Sequence, residues 1–343
     1  MNVSKYIYIS ITFLFAGNLM NASPNHPSIF DELANEELLQ ATIEVDLDAL
    51  MGDWRDESKH RAVFSYKDEV GEKQFWNIKL KKRGKFRRMH CEGIAPLKMY
   101  FDKDDLEQKG LADFNDMKIV NYCMESKEVA RELLFKEYLA YKMYNELTEE
   151  SFRVKLLKIN YQDVNSKRKL KQWVILIEDT AEMRDRIGAK KYKMADQIAD
   201  NPFDTSRIQL TALFQYMIGN ADWNLLLEKN TKVVEKNGKV ITIPYDFDFS
   251  GLVNPPYGTA NALYNLTNLR ERVYLGPTGG NLSAIIKYYH SKKDELLAII
   301  NYDKWLIEES KEVMVTYLES FYEDLDAAKI ENALPKESYT QLD

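Results

Sequence analysis

Histidine, cysteine and net positive charge are what this chain has least of. Its 343 residues include four histidines and two cysteines. His26, His60, His90 and His290 fall in unrelated segments, and no Cys or His pair has zinc-type spacing, which counts against a histidine- or thiolate-based metal centre. Ser-His-Asp catalysis has no supporting motif either. Lys and Arg number 47 against 54 Asp and Glu, a formal charge of −7. That balance, with a pI near 5.4, argues against generic nucleic-acid binding, which needs a basic surface. Beyond residue 20 no stretch approaches the ~18 apolar residues of a membrane span. Internal repeats and low-complexity tracts are lacking as well.

What is present is the composition of a folded globular protein, 45% apolar and 12% aromatic, long enough for one large domain or two smaller ones. The first 22 residues read as a signal peptide: Lys5, an apolar run over Tyr6–Met20, then Asn21-Ala22-Ser23 as a small-residue cleavage site. An uncleaved N-terminal anchor is the alternative on these flanks. No lipid-anchoring cysteine follows the run, and the reading is a secreted or periplasmic protein. In that oxidising setting Cys91 and Cys123 can pair, though spacing alone does not bring their Cα atoms within ~7 Å.

Alternating patterns predict strands over 41–48, 62–66 and 73–82, the last two joined by the turn Asp68-Glu69-Val70-Gly71. The third strand runs into KKRGKFRRMHC, six basic residues around Gly84. Such a run is a solvated face or, with Gly84 admitting an anion to the backbone, a phosphate site using Arg83, Arg87 and Arg88. Short apolar runs follow at 96–101 and 117–120, the second carrying Lys118. A helix over 127–145 places Glu137 within its apolar stripe. Glu137 therefore needs a partner, for which Lys118 is the candidate, or else lies at the wet edge of a rotated helix. Strands over 152–161 and 172–178 and helices over 180–187, 206–219, 282–300 and 302–325 complete the pattern. Strands first and helices later indicate an α+β chain in two lobes. Residues 23–180 form the first lobe, mostly antiparallel strands plus one helix, and 181–343 the second, mainly helical.

The stretch from Phe214 to Tyr257 carries the chemistry. An apolar helix ends in a polar loop with Asp222 and Asn230, two strands turn about a Gly, and Asp246-Phe247-Asp248 follows. Carboxylates and an amide at one end suit a divalent metal, with one Asp left as a base. The plainer reading makes Asp246 and Asp248 the wet end of a strand, and Asn220 and Asp222 helix-end turn chemistry.

The segments GNADWN (219–224) and PYDFDFSG (244–251) resemble ones in secreted bacterial proteins. Over about residues 60–310, the order and spacing of elements resemble the protein-kinase-like fold, most closely its secreted spore-coat kinase (CotH) branch. The resemblance implies a two-lobed fold with an antiparallel-sheet N-lobe and a mainly helical C-lobe. It implies ATP with Mg²⁺ or Mn²⁺ as cofactors and a secreted or envelope protein or glycan as acceptor. By position, Lys118 would hold the nucleotide phosphates and Glu137 would orient it. Glu178 and Asp179 would lie at the adenine hinge, and Asp222 would take the acceptor's proton. Asn230, Asp246 and Asp248 would hold the metal. The chain departs from the pattern in having no GxGxxG loop, so RGKFRR would do its phosphate work. It also has no HRD, and the Asp222–Asn230 interval exceeds the kinase spacing. A catalytically inactive binding protein of the cell envelope and a metal-dependent hydrolase using the same acids stay open beside phosphoryl or nucleotidyl transfer.

Overall fold

The computed structural model describes residues 26–34, 37–90, 93–122, 124, 126–192, 203–327 and 330. The signal-peptide segment, both cysteines and the polar tail lie outside the described residues. Seven strands come first: β1 (Leu39–Val45), β2 (His60–Lys67), β3 (Lys73–Lys82), β4 (Leu97–Phe101), β5 (Asp116–Val120), β6 (Val154–Asp163) and β7 (Lys169–Ile177). They close into a barrel in the order β1-β2-β3-β4-β5-β7-β6.

This closure overturns the expected kinase-like fold with its antiparallel-sheet lobe. Every pairing but one is antiparallel, and the exception seals the barrel: β1 runs parallel to β6, with Ile43 opposite Tyr161. Left open, β1 and β6 would each present a row of unpaired backbone groups, and joining them removes both edges. Period-2 alternation fixes which residues face inward, and the inward set fills the lumen. Ile43, Phe64, Leu80, Met99, Ile119 and Ile159 are all fully buried there. Phe101 meets Phe64 and Trp76 edge-on at centroid distances of 6.1 and 5.5 Å.

Four short helices decorate the barrel: α1 (Ile29–Ala34), α2 (Leu47–Met51), α3 (Lys85–His90) and α4 (Lys103–Gln108). Against the outer face of β6 and β7 packs α5 (Lys127–Leu147), its first turn capped by the Ser126 hydroxyl accepting from Val129 N at 3.3 Å. Here a second core begins, in which Leu134, Tyr141 and Tyr144 meet Leu156, Ile175 and Ile177. The chain leaves the barrel at Ile177 and enters α6 (Thr180–Arg186), capped by Asp179, and then β8 (Lys190–Lys191). Next is α7 (Thr205–Met217), capped by Asp204 and buried from Ile208 through Met217. The strands β9 (Thr231–Lys236) and β10 (Lys239–Pro244) form a hairpin whose turn residues Asn237 and Gly238 both take positive φ, as a two-residue turn of this hand requires. Three helices follow, α8 (Leu282–Ser291), α9 (Lys293–Asn301) and α10 (Glu308–Asp326). The single helix expected over 282–300 is interrupted at Lys292.

Candidate functional site

Side chains of β3, β4 and β5 alternate between the lumen and the outside, and the register puts three lysines in one outward row. Lys81 lies opposite Lys98, and Lys98 opposite Lys118. Like charges facing one another across strands oppose pairing, so each needs relief. Lys81 reaches Glu57 at 3.3 Å and Lys98 reaches Asp116 at 2.8 Å. Lys118 forms no ion pair among the described residues, and Asp116 and Asp179 act on it only through the field. Its ammonium touches the Thr180 hydroxyl at 3.1 Å and lies 4.8 and 5.9 Å from the ring centres of Phe152 and Tyr245. Burial drives its pKa down from 10.5 to about 7, and the nearby Arg83 charge adds to the fall. Lys232 of β9 is also lowered, by burial first, with Glu228 opposing the shift and Arg83, Arg184 and Lys98 adding to it. Among the described residues no ion pair neutralises Arg83, Lys118, Arg184 or Lys232. The result is a cluster of cations that Asp116 and Glu228 offset in part.

Beside it, Glu137 of α5 is fully buried. The expected partner Lys118 is not its partner. Arg87, carried in by α3, bridges Glu137 at 3.3 Å and Asp248 at 2.6 Å, donates to the Asn121 carbonyl at 3.2 Å, and stacks 4.4 Å over Tyr122. The Tyr122 hydroxyl donates to Glu137 Oε2 at 2.8 Å, and Glu137 Oε1 finds no hydrogen bond. One guanidinium serves two buried carboxylates. Burial accordingly pushes Glu137 up to about 7 and Asp248 above its usual range, with Arg87 opposing both shifts.

Asp222, Asn230 and Asp246 occupy the loops at the end of α7 and around the hairpin. Asn230 donates to the Asp222 carbonyl at 2.7 Å and to its carboxylate at 3.0 Å, and Lys229 pairs with the other carboxylate oxygen. Asp246 takes a φ of 67° and Asn230 one of 52°. Left-handed backbone at a non-glycine residue costs free energy and collects at functional sites. The Asp246 N–H is held by the Tyr141 hydroxyl at 2.8 Å, and the next residue, Phe247, is wedged against Tyr141 and Phe214. Among the described residues the Asp246 carboxylate makes no hydrogen bond or ion pair. A Cβ on Gly251 would stand 2.4 Å from the Tyr317 hydroxyl and 2.7 Å from the Leu269 carbonyl, so the turn closing this segment admits no side chain.

No family model matches the sequence, and no curated relative matches it. Among solved structures, the Helicobacter pylori proinflammatory kinase CtkA is similar at a TM-score of 0.36 and 11% identity, over 64% of this chain and 92% of that one. A superposition this loose carries no argument about chemistry.

Two residues named from the sequence are occupied elsewhere. Glu178 is fully buried and locked by Arg153 at 2.8 Å and Arg186 at 2.6 Å, in a network that continues to Asp31 and Glu182. Its side chain is tied up on the α1 side of the barrel. Arg88 turns to Glu57 at 3.4 Å, away from Arg87's partners. No motif in the sequence marks Lys98, Lys232 or Tyr141 as a site residue. The two lysines have a signal in retrospect, since strand register aligns Lys98 with Lys118. Among the described residues no group of three or more His, Cys, Asp or Glu converges. A divalent ion would therefore draw on Asp246, with Asn230 and Asp248 as neighbours. Mg²⁺ fits such a site, because it takes one or two carboxylates and completes its shell with substrate phosphates and water.

Proposed function

We propose that the chain binds a nucleoside triphosphate with Mg²⁺ or Mn²⁺ and transfers a phosphoryl or nucleotidyl group to a hydroxyl acceptor, on a secreted or cell-envelope protein or glycan. The observation that carries this reading is Lys118. It is a largely desolvated ammonium that forms no ion pair among the described residues and lies within electrostatic reach of Arg83 and Lys232. Burying a cation this way is costly unless an anion arrives to complete the site. A polyphosphate supplies that charge, and a divalent ion gives Asp246 a partner and neutralises charge on the transferring group. Lys118, Arg83 and Lys232 bind the phosphates. Asp222, positioned by Asn230 and Lys229, is placed to accept the acceptor's proton.

One observation favours a second reading, a non-catalytic anion-binding protein of the envelope. Arg87 holds Asp248 at 2.6 Å and keeps it from a metal. Thermal melting with ATP and Mg²⁺ or Mn²⁺ separates the two. Ligand at 100 times its dissociation constant adds about 2.7 kcal/mol of stability. An upward shift needing both metal and nucleotide, absent in Asp246→Asn, supports transfer. A shift with ATP alone that Asp246→Asn retains supports the binding protein, and no shift with either ligand sinks both.

A further inference from the structure

Tyr122 also lines a cavity of about 840 Å³, between the start of α5 and the β6–β7 hairpin. That volume suits a small organic ligand. Its walls divide by chemistry. Met124, Leu134, Leu170 and Trp173 supply apolar surface, and Trp173 is held rigid by Phe135 and Trp305, each 5.1 Å away between ring centres. Lys127, Arg131, Lys158, Arg168, Lys169 and Lys171 supply cations, of which Arg168 pairs with Asp48 at 3.1 Å, and among the described lining residues Glu128 is the one acid. Arg131 meets Glu132 at 4.0 Å, and Lys158 lies over the Trp173 ring at 5.4 Å. For Lys127, Lys169 and Lys171 no ion pair forms among the described residues.

In a chain with seven excess negative charges, six cations around an apolar wall are not the average surface. We propose that this cavity binds a free, single-headed anionic amphiphile: a hydrocarbon or ring body along Trp173 and Leu134, with one carboxylate, sulfate or phosphate among the lysines. The apolar wall excludes a bare inorganic anion as the best occupant, and the lysines exclude a neutral or cationic body. Tyr122, which lines the cavity, also hydrogen-bonds Glu137. The inference does not rest on the transfer reading, and Asp246→Asn should leave it untouched.

The test is calorimetric titration of the full chain with dodecyl phosphate below its micelle concentration, beside dodecyltrimethylammonium and inorganic phosphate. One site for dodecyl phosphate is expected, with quenched tryptophan fluorescence that is lost in Trp173→Phe. Reversing charge in Lys158→Glu/Lys171→Glu should weaken binding about tenfold or more, on the order of 1.4 kcal/mol. Lys127→Glu/Arg131→Glu on α5 gives the same readout should the strand variant fail to fold. Equal binding of the ammonium amphiphile, equal binding of inorganic phosphate, or unchanged affinity in the charge-reversed variants would overturn the proposal. So would sedimentation with anionic vesicles without binding of the monomer, which would make the cationic patch a membrane contact.

Discussion

Replacing Lys118 by Met should make the protein more stable and blind to nucleotide. Burial holds the folded-state pKa near 7, against 10.5 for an ordinary lysine. The unfolded chain therefore binds the proton more tightly than the native one, and wild-type stability rises with pH between those values. Above about 10.5 the native state pays nothing for Lys118, and below about 7 the full penalty applies. At about 1.4 kcal/mol per pKa unit, the penalty near neutrality comes to roughly 4 kcal/mol. Methionine has similar length, fills the space between Phe152 and Tyr245, and gives up one hydrogen bond to Thr180, a loss of about 1 kcal/mol. The net gain near pH 7 is then roughly 3 kcal/mol, and at about 2 °C per kcal/mol this raises the melting temperature by roughly 6 °C. Melting curves at pH 7 and pH 10 should show that advantage shrinking at the higher pH. The stabilisation by ATP with Mg²⁺ should vanish at both. A variant no more stable than wild type at pH 7, with a difference that does not change with pH, would refute the idea that Lys118 is an uncompensated charge awaiting an anion.

Arg87→Met strands Glu137 and Asp248 as buried carboxylates and should cost about 3–5 kcal/mol at pH 8. Both have raised folded-state pKa values, so the loss should shrink as pH falls below about 7 and Glu137 takes its proton, which denaturant titrations at pH 8 and pH 5.5 will show. Tyr122→Phe removes the one hydroxyl donor to Glu137 among the described residues and should cost about 1–2 kcal/mol by the same assay. Gly251→Ala should lose about 1–3 kcal/mol through overpacking. Tyr317→Phe will not restore it, because the Leu269 carbonyl and the Arg270 backbone also stand in the way.

Strand positions were legible wherever one face is buried: the run over 73–82 alternates cleanly, and β3 has those bounds. Closure was not. A strand's period reports its faces and says nothing of the partner along its edge, so the parallel β1–β6 pairing left no mark in composition or spacing. The burial of Glu137 was readable from its place in the α5 stripe, but its partner was not. Arg87 arrives on α3, a six-residue helix inside a basic run too short to display a helical period. Glu178 was read by position and proved to be held by Arg153 and Arg186, contacts set by tertiary packing. Asp246 was singled out from the sequence, while its left-handed backbone and the Tyr141 hydroxyl beneath it are visible only in three dimensions.

The parallel β1–β6 seam also sets an order of events for the growing chain. Leu47 N donates to Asp163 at 3.0 Å across 116 residues of sequence, just past the end of that seam. Strand β1 can pair early with β2, but its other edge waits until β6 has been made. Such distant pairings are slow to form, and meanwhile the exposed edge is open to the wrong strand. If the chain crosses a membrane before folding, that waiting period falls during export. The seam is then where a chaperone's protection would count most and where a nascent chain stalled before residue 163 would aggregate.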